Sequence, residues 1–258
     1  TIGALIFSMR NKGNWGPILF ALFFGCQIAA NHLQMTYYTA LLLVLIGIGE
    51  MIRMIFNKEF KSIYSRVGLL LAAALIAVLP SASNLMTTYE YSKWTTRGKS
   101  ELTIAPEKTE KEAVAEQEGL DGDYILDYNY GKGERWSILF PNACGGAGGY
   151  FKMSAPDEVR KVKKDVRPYV ELMDPYWGGQ RMSGGAFYFG VVTLVLALLG
   201  WVFLKDHLKW SLLIMTLLIL GLCVKDMTGL NDFFIHHFPM YNKFRDSKMI
   251  LMLLPVVW

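Results

Sequence analysis

WGPILFALFFGCQIAANHLQMTYYTALLLVLIGIG, residues 15–49, sets a polar octet, Asn31 to Tyr38, between two oily runs. Neither LLLVLIGIG (41–49) nor VVTLVLALLGWVFL (191–204) carries a polar face at helical spacing, as a helix on the surface of a soluble protein would. The runs therefore read as membrane spans and the octet as the wet turn between them.

The same pattern recurs outward from this hairpin. A spanning helix needs about 20 mainly apolar residues. Segments 15–31, 35–55, 63–80, 186–204 and 208–224 qualify, and a truncated sixth runs from 249 to 258. Residues 1–8, TIGALIFS, read as the tail of an earlier span. With no initiator Met and an apolar end, MILMLLPVVW, the chain reads as an internal fragment of a longer polytopic protein. Between the oily ends, residues 81–185 hold 16 of the 22 acidic residues and 14 of the 26 basic ones, so this stretch reads as water-exposed. The expected architecture is a polytopic α-helical membrane protein with a mixed α/β extracytoplasmic domain. It has about three spans in 1–80, the domain in 81–185, and two spans with a truncated third in 186–258.

Lys and Arg in short loops set the orientation. Arg10 and Lys12, then Arg53, Lys58, Lys61 and Arg66, then Lys205 and Lys209 fall on one side if each run crosses once. That side is expected to be cytoplasmic, with Arg66 snorkelling from the start of its span. The octet, residues 81–185 and the loop 225–248 then share the outer face, although 225–248 carries four cations of its own. The net charge of +4 fits such loops, and no nucleic-acid module is present. Three cysteines, Cys26, Cys144 and Cys223, lack the spacing of a metal site or a disulfide framework. No metal or cofactor motif is found.

Within 81–185, Pro106 opens a polar helix through EKTEKEAVAEQE, and GERWSILFPN alternates as a strand. Ser154 to Asp157 matches a capping box. Val159, Val162, Val166, Tyr169 and Met173 then recur at helical steps, giving one apolar face that can pack on the domain or lie on the membrane, packing being the expected use. GGAGG (145–149) and GKGERW lack the rest of any phosphate-binding motif and read as turns.

Four polar clusters fall near span ends on the outer side. In the octet, His32, Gln34 and Tyr38 suit sugar hydroxyls or a carboxylate; the plainer reading makes Asn31 a helix cap and Tyr37 and Tyr38 an interfacial belt. PSASNLMTTYEYSKWTTRG (80–98) offers Glu90, Tyr91 and Arg97, an acid–base group and a phosphate-binding cation among aromatics. FFIHHFPMYNKFRDSKM (233–249) sets Tyr241, Lys243, Arg245 and Lys248 before an apolar run, cations for a lipid-linked phosphate and rings for its sugar or chain; headgroup anchoring is the plainer use. Trp136, Asn142, Tyr176 and Trp177 suit a carbohydrate groove or a domain core.

At these clusters the chain resembles the YfhO-type family of bacterial integral membrane proteins. The resemblance runs through FFGCQIAANHLQMTYY, PSASNLMTTYEYSKWTTRGKSEL, GLDGDYILDYNYGKGERWSILFPN and PMYNKFRDSKMIL, in family order. It implies a glycosyltransferase-C-like fold in the bacterial cytoplasmic membrane. It also implies transfer of a sugar from a polyprenyl-phosphate donor to a cell-envelope glycan or polymer. The acidic residue expected to be the catalytic base of such enzymes lies in a first outer loop, upstream of Thr1, so Glu90 does not take that role. Lys243, Arg245 and Arg97 would face the leaving phosphate, and His32 and Gln34 would orient the sugar or the base. The rival classes are a flippase of lipid-linked saccharide, which would carry charges at span centres, and a non-catalytic envelope assembly protein.

Overall fold

Asn31 takes a left-handed backbone conformation (φ 57°) that ends one helix and starts the next. Its N–H donates to the Ile28 carbonyl at 2.9 Å, satisfying one of the helix's last carbonyls. The computed structural model describes residues 1–11, 13–98, 120–146, 148–180, 187–225 and 229–258. The helix expected at EKTEKEAVAEQE lies outside them. The chain divides into two compact units. The first comprises Thr1–Asp121, Phe203–Leu217 and Val257, the second Gly122–Val202, Leu218–Val256 and Trp258.

In the first unit α1 (Ile2–Arg10) is followed by α2 (Trp15–Ala29), α3 (Leu33–Phe56) and α4 (Phe60–Val78), the last three joined by tight turns. Lys58 closes α3 as Asn31 closes α2. At φ 60° it lets the Glu59 N–H reach the Met54 carbonyl (2.9 Å) while its own N–H reaches Ile55 (2.9 Å). α4 continues through a 3-10 turn (Leu79–Ser81) into α5 (Ala82–Ser92), so one helix runs unbroken from Phe60 to Ser92. The span expected to stop at 80 therefore extends 12 residues further.

α3 and the α4–α5 helix are long and apolar enough to cross a membrane, while α2 and the later apolar runs form shorter helices. At 1.5 Å per residue the two are about 36 and 50 Å long. Only 33% of the apolar window of α3 and 22% of that of α4–α5 is buried, unlike the core helix of a soluble protein. Along α3, Tyr38, Leu42, Ile46, Glu50 and Met54 face inward at four-residue steps, while Val44, Ile48, Ile52 and Ile55 face outward.

Small residues set the helix contacts in this unit. A Cβ at Gly16 would lie 2.4 Å from Ser8 Cα, so α1 and α2 meet backbone to backbone. One at Gly49 would lie 2.2 Å from Ser211 Oγ, which donates to the Leu45 carbonyl at 2.9 Å. Ser211 belongs to α11 (Leu208–Leu222), whose residues to Leu217 form part of this unit. Small residues at contacts and large apolar ones outside are the packing of helices in lipid, where burying apolar surface gives no drive to associate.

The three expected basic loops meet at one end of this unit. Arg10 forks onto Asp206 at 2.6 and 2.8 Å and also donates to Glu50 at 2.9 Å. Arg53 donates to the other Glu50 oxygen at 2.8 Å. Arg66, expected to snorkel, is instead buried and donates to the Gly13 carbonyl at 3.0 Å.

The second unit is built from short pieces: α6 (Gly122–Leu126), a 3-10 turn (Glu134–Ile138), α7 (Phe151–Ser154), α8 (Pro156–Lys161), α9 (Arg167–Glu171), α10 (Val191–Phe203, to Val202), the end of α11, α12 (Leu230–His237), 3-10 turns at Tyr241–Lys243 and Ser247–Leu253, and α13 (Leu254–Val257). The expected mixed α/β domain is not found. Among the described residues there are isolated bridges but no strand. GERWSILFPN, expected as a strand, forms the 3-10 turn instead, with Glu134, Ser137 and Ile138 buried on its inner side.

Nor does the expected capping box form. Ala155 occupies the N-cap of α8 and Ser154 ends α7. The apolar helix proposed to follow breaks at Val162 and restarts at Arg167. Pro168, in the first turn of α9, explains the break: it has no N–H, and a helix running through it would press its ring on the carbonyl four residues back. GGAGG makes the expected turn at Gly145 (φ 86°), where a Cβ would sit 1.9 Å from the Pro175 carbonyl oxygen.

Candidate functional site: a cationic loop on a buried carboxylate

The loop Met240–Lys248 is set by two non-glycine residues in the left-handed region, Met240 (φ 62°) and Asp246 (φ 58°). Such backbone persists only where surrounding contacts hold it. Here the Asp246 N–H donates to the Ile125 carbonyl at 3.0 Å. The Asn129 side chain, 1% exposed, does more. Its amide donates to the Leu222 carbonyl (2.8 Å) and exchanges hydrogen bonds with Ser247, and its oxygen accepts the Lys248 N–H (2.9 Å). One buried amide thus ties together the end of α11, the segment after α6 and the start of the last apolar run.

Below the loop lies Glu134, 3% exposed. Its carboxylate accepts from the Gly131 N–H (2.6 Å), the Gln180 amide (3.0 Å) and, closely, the Tyr176 hydroxyl. Burial, with the bond to Glu134 next, pushes the Tyr176 phenol above its ordinary value, so it stays a neutral donor. Three donors fix the carboxylate in place and satisfy its buried oxygens. Gln180 then accepts a close hydrogen bond from the Lys248 ammonium, which also lies 6.0 Å from the centre of the Tyr130 ring. Burial lowers the Lys248 pKa, while Asp246 and Glu134 oppose the shift. Asp246 is itself pushed upward, again by burial.

Arg245 is exposed. It donates to the Tyr124 hydroxyl at 2.8 Å and lies over two rings, Tyr124 at 5.6 Å and Tyr128 at 5.3 Å. The bond to Tyr124 raises its pKa, so it remains a fixed cation. Lys243 is half-buried in the same loop, whereas Tyr241 is 1% exposed, its ring edge-on to Phe234 at 5.3 Å. The loop therefore presents Lys243, Arg245 and Lys248 from a backbone held by Asn129, with Tyr124, Tyr128 and Tyr130 beside Arg245 and Lys248. That set can bind an anion and lay rings against an apolar or sugar face.

The expected site residues of the first two clusters lie in the first unit. His32 is exposed at the start of α3; Gln34 donates to the Tyr38 hydroxyl at 3.1 Å, one turn on, and Tyr38 is fully buried. Asn84 of α5 donates to Asn31 at 3.0 Å, joining the first two clusters at one place. Glu90 and Tyr91 ride the extension of the long helix, both exposed, with Lys93 donating to Glu90 at 2.8 Å; Arg97 is exposed just beyond. Of the fourth cluster, Trp136 and Trp177 are exposed and Tyr176 is committed to Glu134.

No protein-family model matches the chain, and no curated protein or solved structure shows significant similarity to it. Two residues central to the second unit, Asn129 and Glu134, carried no motif. The only hint was their place within NYGKGERW, polar residues flanking glycines.

Proposed function

We propose that this chain belongs to a YfhO-type, glycosyltransferase-C-like enzyme of the bacterial cytoplasmic membrane. It moves a sugar from a polyprenyl-phosphate donor to a cell-envelope glycan or polymer at the outer face. The observation that carries the reading is the loop Met240–Lys248. Arg245 lies on Tyr124 and Tyr128 and Lys248 by Tyr130, with Lys243 in the same loop of strained, anchored backbone, directly before an apolar run. Such a loop suits a phosphate at the end of a lipid chain: the cations stabilise charge growing on the leaving phosphate, and the adjacent apolar run suits the isoprenoid.

In this reading α3 and α4–α5 cross the bilayer, the Arg10–Glu50–Asp206 end faces the cytoplasm, and the Asn31–Asn84 end faces outward with residues 81–185. Helix contacts through Gly16 and Gly49 and the outward apolar side chains support a lipid surround. A flippase would draw its path with charges at mid-depth. The buried charges Glu50 and Arg66 of the first unit, with half-buried Arg53, lie instead toward the end with the basic loops. That favours chemistry at a surface.

The test is transfer of a radiolabelled sugar from its polyprenyl phosphate by the full-length protein in proteoliposomes. Lys243→Gln with Arg245→Gln lowers the rate about 100-fold, the usual effect of removing charge stabilisation from a transferring group. Unchanged transfer by a folded double variant rules out the phosphate role.

A further inference from the structure

The apolar face expected to pack on the domain does so only in part: Val159 is buried and Val162 half-buried, while Val166, Tyr169 and Met173 are exposed. In 150–173, α7, α8 and α9 pack on one another, and the Phe151 N–H donates to the Met173 carbonyl at 3.0 Å. Val159 is the one residue of the three short helices that is buried. Met153 (80% exposed), Tyr169 (74%), Leu172 (66%) and Met173 (56%) are open. Large apolar side chains grouped this way mark a contact surface.

Charge indicates the partner. Residues 151–173 hold six basic side chains against four acidic ones. Arg160 pairs with Asp157 and Lys161 with Glu158, while Arg167 turns to the carbonyls of Arg160 and Val162. Lys152, Lys163 and Lys164 are exposed, with no carboxylate partner among the described residues. Immersed Met, Leu and Tyr side chains beside lysines whose stems reach headgroups are the make-up of an interfacial membrane segment.

We propose that residues 150–173 dock on the surface of an anionic phospholipid bilayer, with Met153, Tyr169, Leu172 and Met173 in the boundary layer and Lys152, Lys163 and Lys164 on lipid phosphates. The proposal rests on the reading of the chain as a membrane protein, but not on its enzymatic activity. Docking holds the second unit against lipid, the compartment that would supply a polyprenyl substrate.

The test uses the full chain with Cys26, Cys144 and Cys223 replaced by alanine and a single fluorophore on Leu172→Cys. A parallel label sits on Val44→Cys of α3, in the apolar belt. Both are reconstituted in nanodiscs of phosphatidylglycerol or of phosphatidylcholine, with and without lipids carrying a quencher near the headgroup, for 172, or deep on the acyl chain, for 44. The label at 172 is quenched in phosphatidylglycerol and much less in phosphatidylcholine. Lys163→Gln with Lys164→Gln lowers the docked-to-free ratio about 30-fold, about fivefold per lysine, while the label at 44 responds as before. Quenching at 44 but none at 172 in phosphatidylglycerol overturns the docking. Equal quenching at 172 in both lipids, or none of the lysine effect, overturns the anionic partner. Should the label at 44 also escape every lipid quencher, the membrane reading itself falls and the docking with it.

Discussion

The two units hold together by different means. The first is long helices in contact through small residues, Ser8 on Gly16 and Ser211 on Gly49, with bulky apolar side chains turned outward. The second is short helical pieces tied by buried polar side chains, Asn129 between three segments and Glu134 under three donors. Long helices satisfy their own backbone and need only a close fit. Short pieces leave many chain ends, each with unpaired N–H and C=O groups, and buried amides and carboxylates must satisfy them. The first unit should therefore suffer from added volume and the second from lost acceptors.

One exception in the first unit gives the largest expected effect. Glu50 is buried between Arg10 and Arg53. Glu50→Ala leaves two guanidinia without their shared carboxylate and should cost about 3 kcal/mol, read as a lowered midpoint of thermal unfolding in detergent. A loss no larger than at an exposed glutamate such as Glu90 would show that the first unit depends on fit alone. Next comes Glu134→Ala, which strands the Tyr176 hydroxyl, the Gln180 amide and the Gly131 N–H, at about 2 to 3 kcal/mol; Glu134→Gln, keeping one acceptor, costs less. Gly16→Val follows at about 2 kcal/mol, because the atom it meets is backbone and cannot swing away. A tolerated valine there would sink the small-residue contact.

The smallest effect is a pH dependence. The hydrogen bonds from Arg10 hold the Asp206 carboxyl down to about 2, from its ordinary 3.8. A carboxyl lowered on folding stabilises the fold above its unfolded value and loses that contribution as pH falls toward its folded value. Stability should therefore decline between about pH 4 and pH 2, and Asp206→Asn should flatten this part of the profile. An unchanged profile in the variant would show that the fork to Arg10 contributes nothing measurable.

Legibility in the sequence followed the same divide. The oily runs without a polar face announced the long helices, and like-charged loops between them gave the gathering of Arg10, Arg53 and Arg66 at one end. The partners of those cations were not legible, since Arg10 meets Glu50 and Asp206 across 40 and 196 residues of chain. The long helix was read as ending at Pro80, yet proline sits there in a 3-10 turn that passes straight into α5. In the second unit weak alternation in RWSILF suggests a strand, but a strand needs a partner and none is offered among the described residues. Pro168 could have warned that the Val159–Met173 pattern would not stay one helix. Nothing local marked Glu134, because its meaning comes from Tyr176 and Gln180, more than 40 residues on.

The most direct test uses the two ends of one helix. Lys58 precedes Phe60 and Glu90 lies near Ser92, so cysteines at 58 and 90 bracket the α4–α5 helix. With a thiol reagent that cannot cross membranes, applied to intact cells, Glu90→Cys should be modified and Lys58→Cys only after permeabilisation. Modification of both from outside, or of 58 alone, would mean that this helix does not cross from a basic inner end to an aromatic outer one.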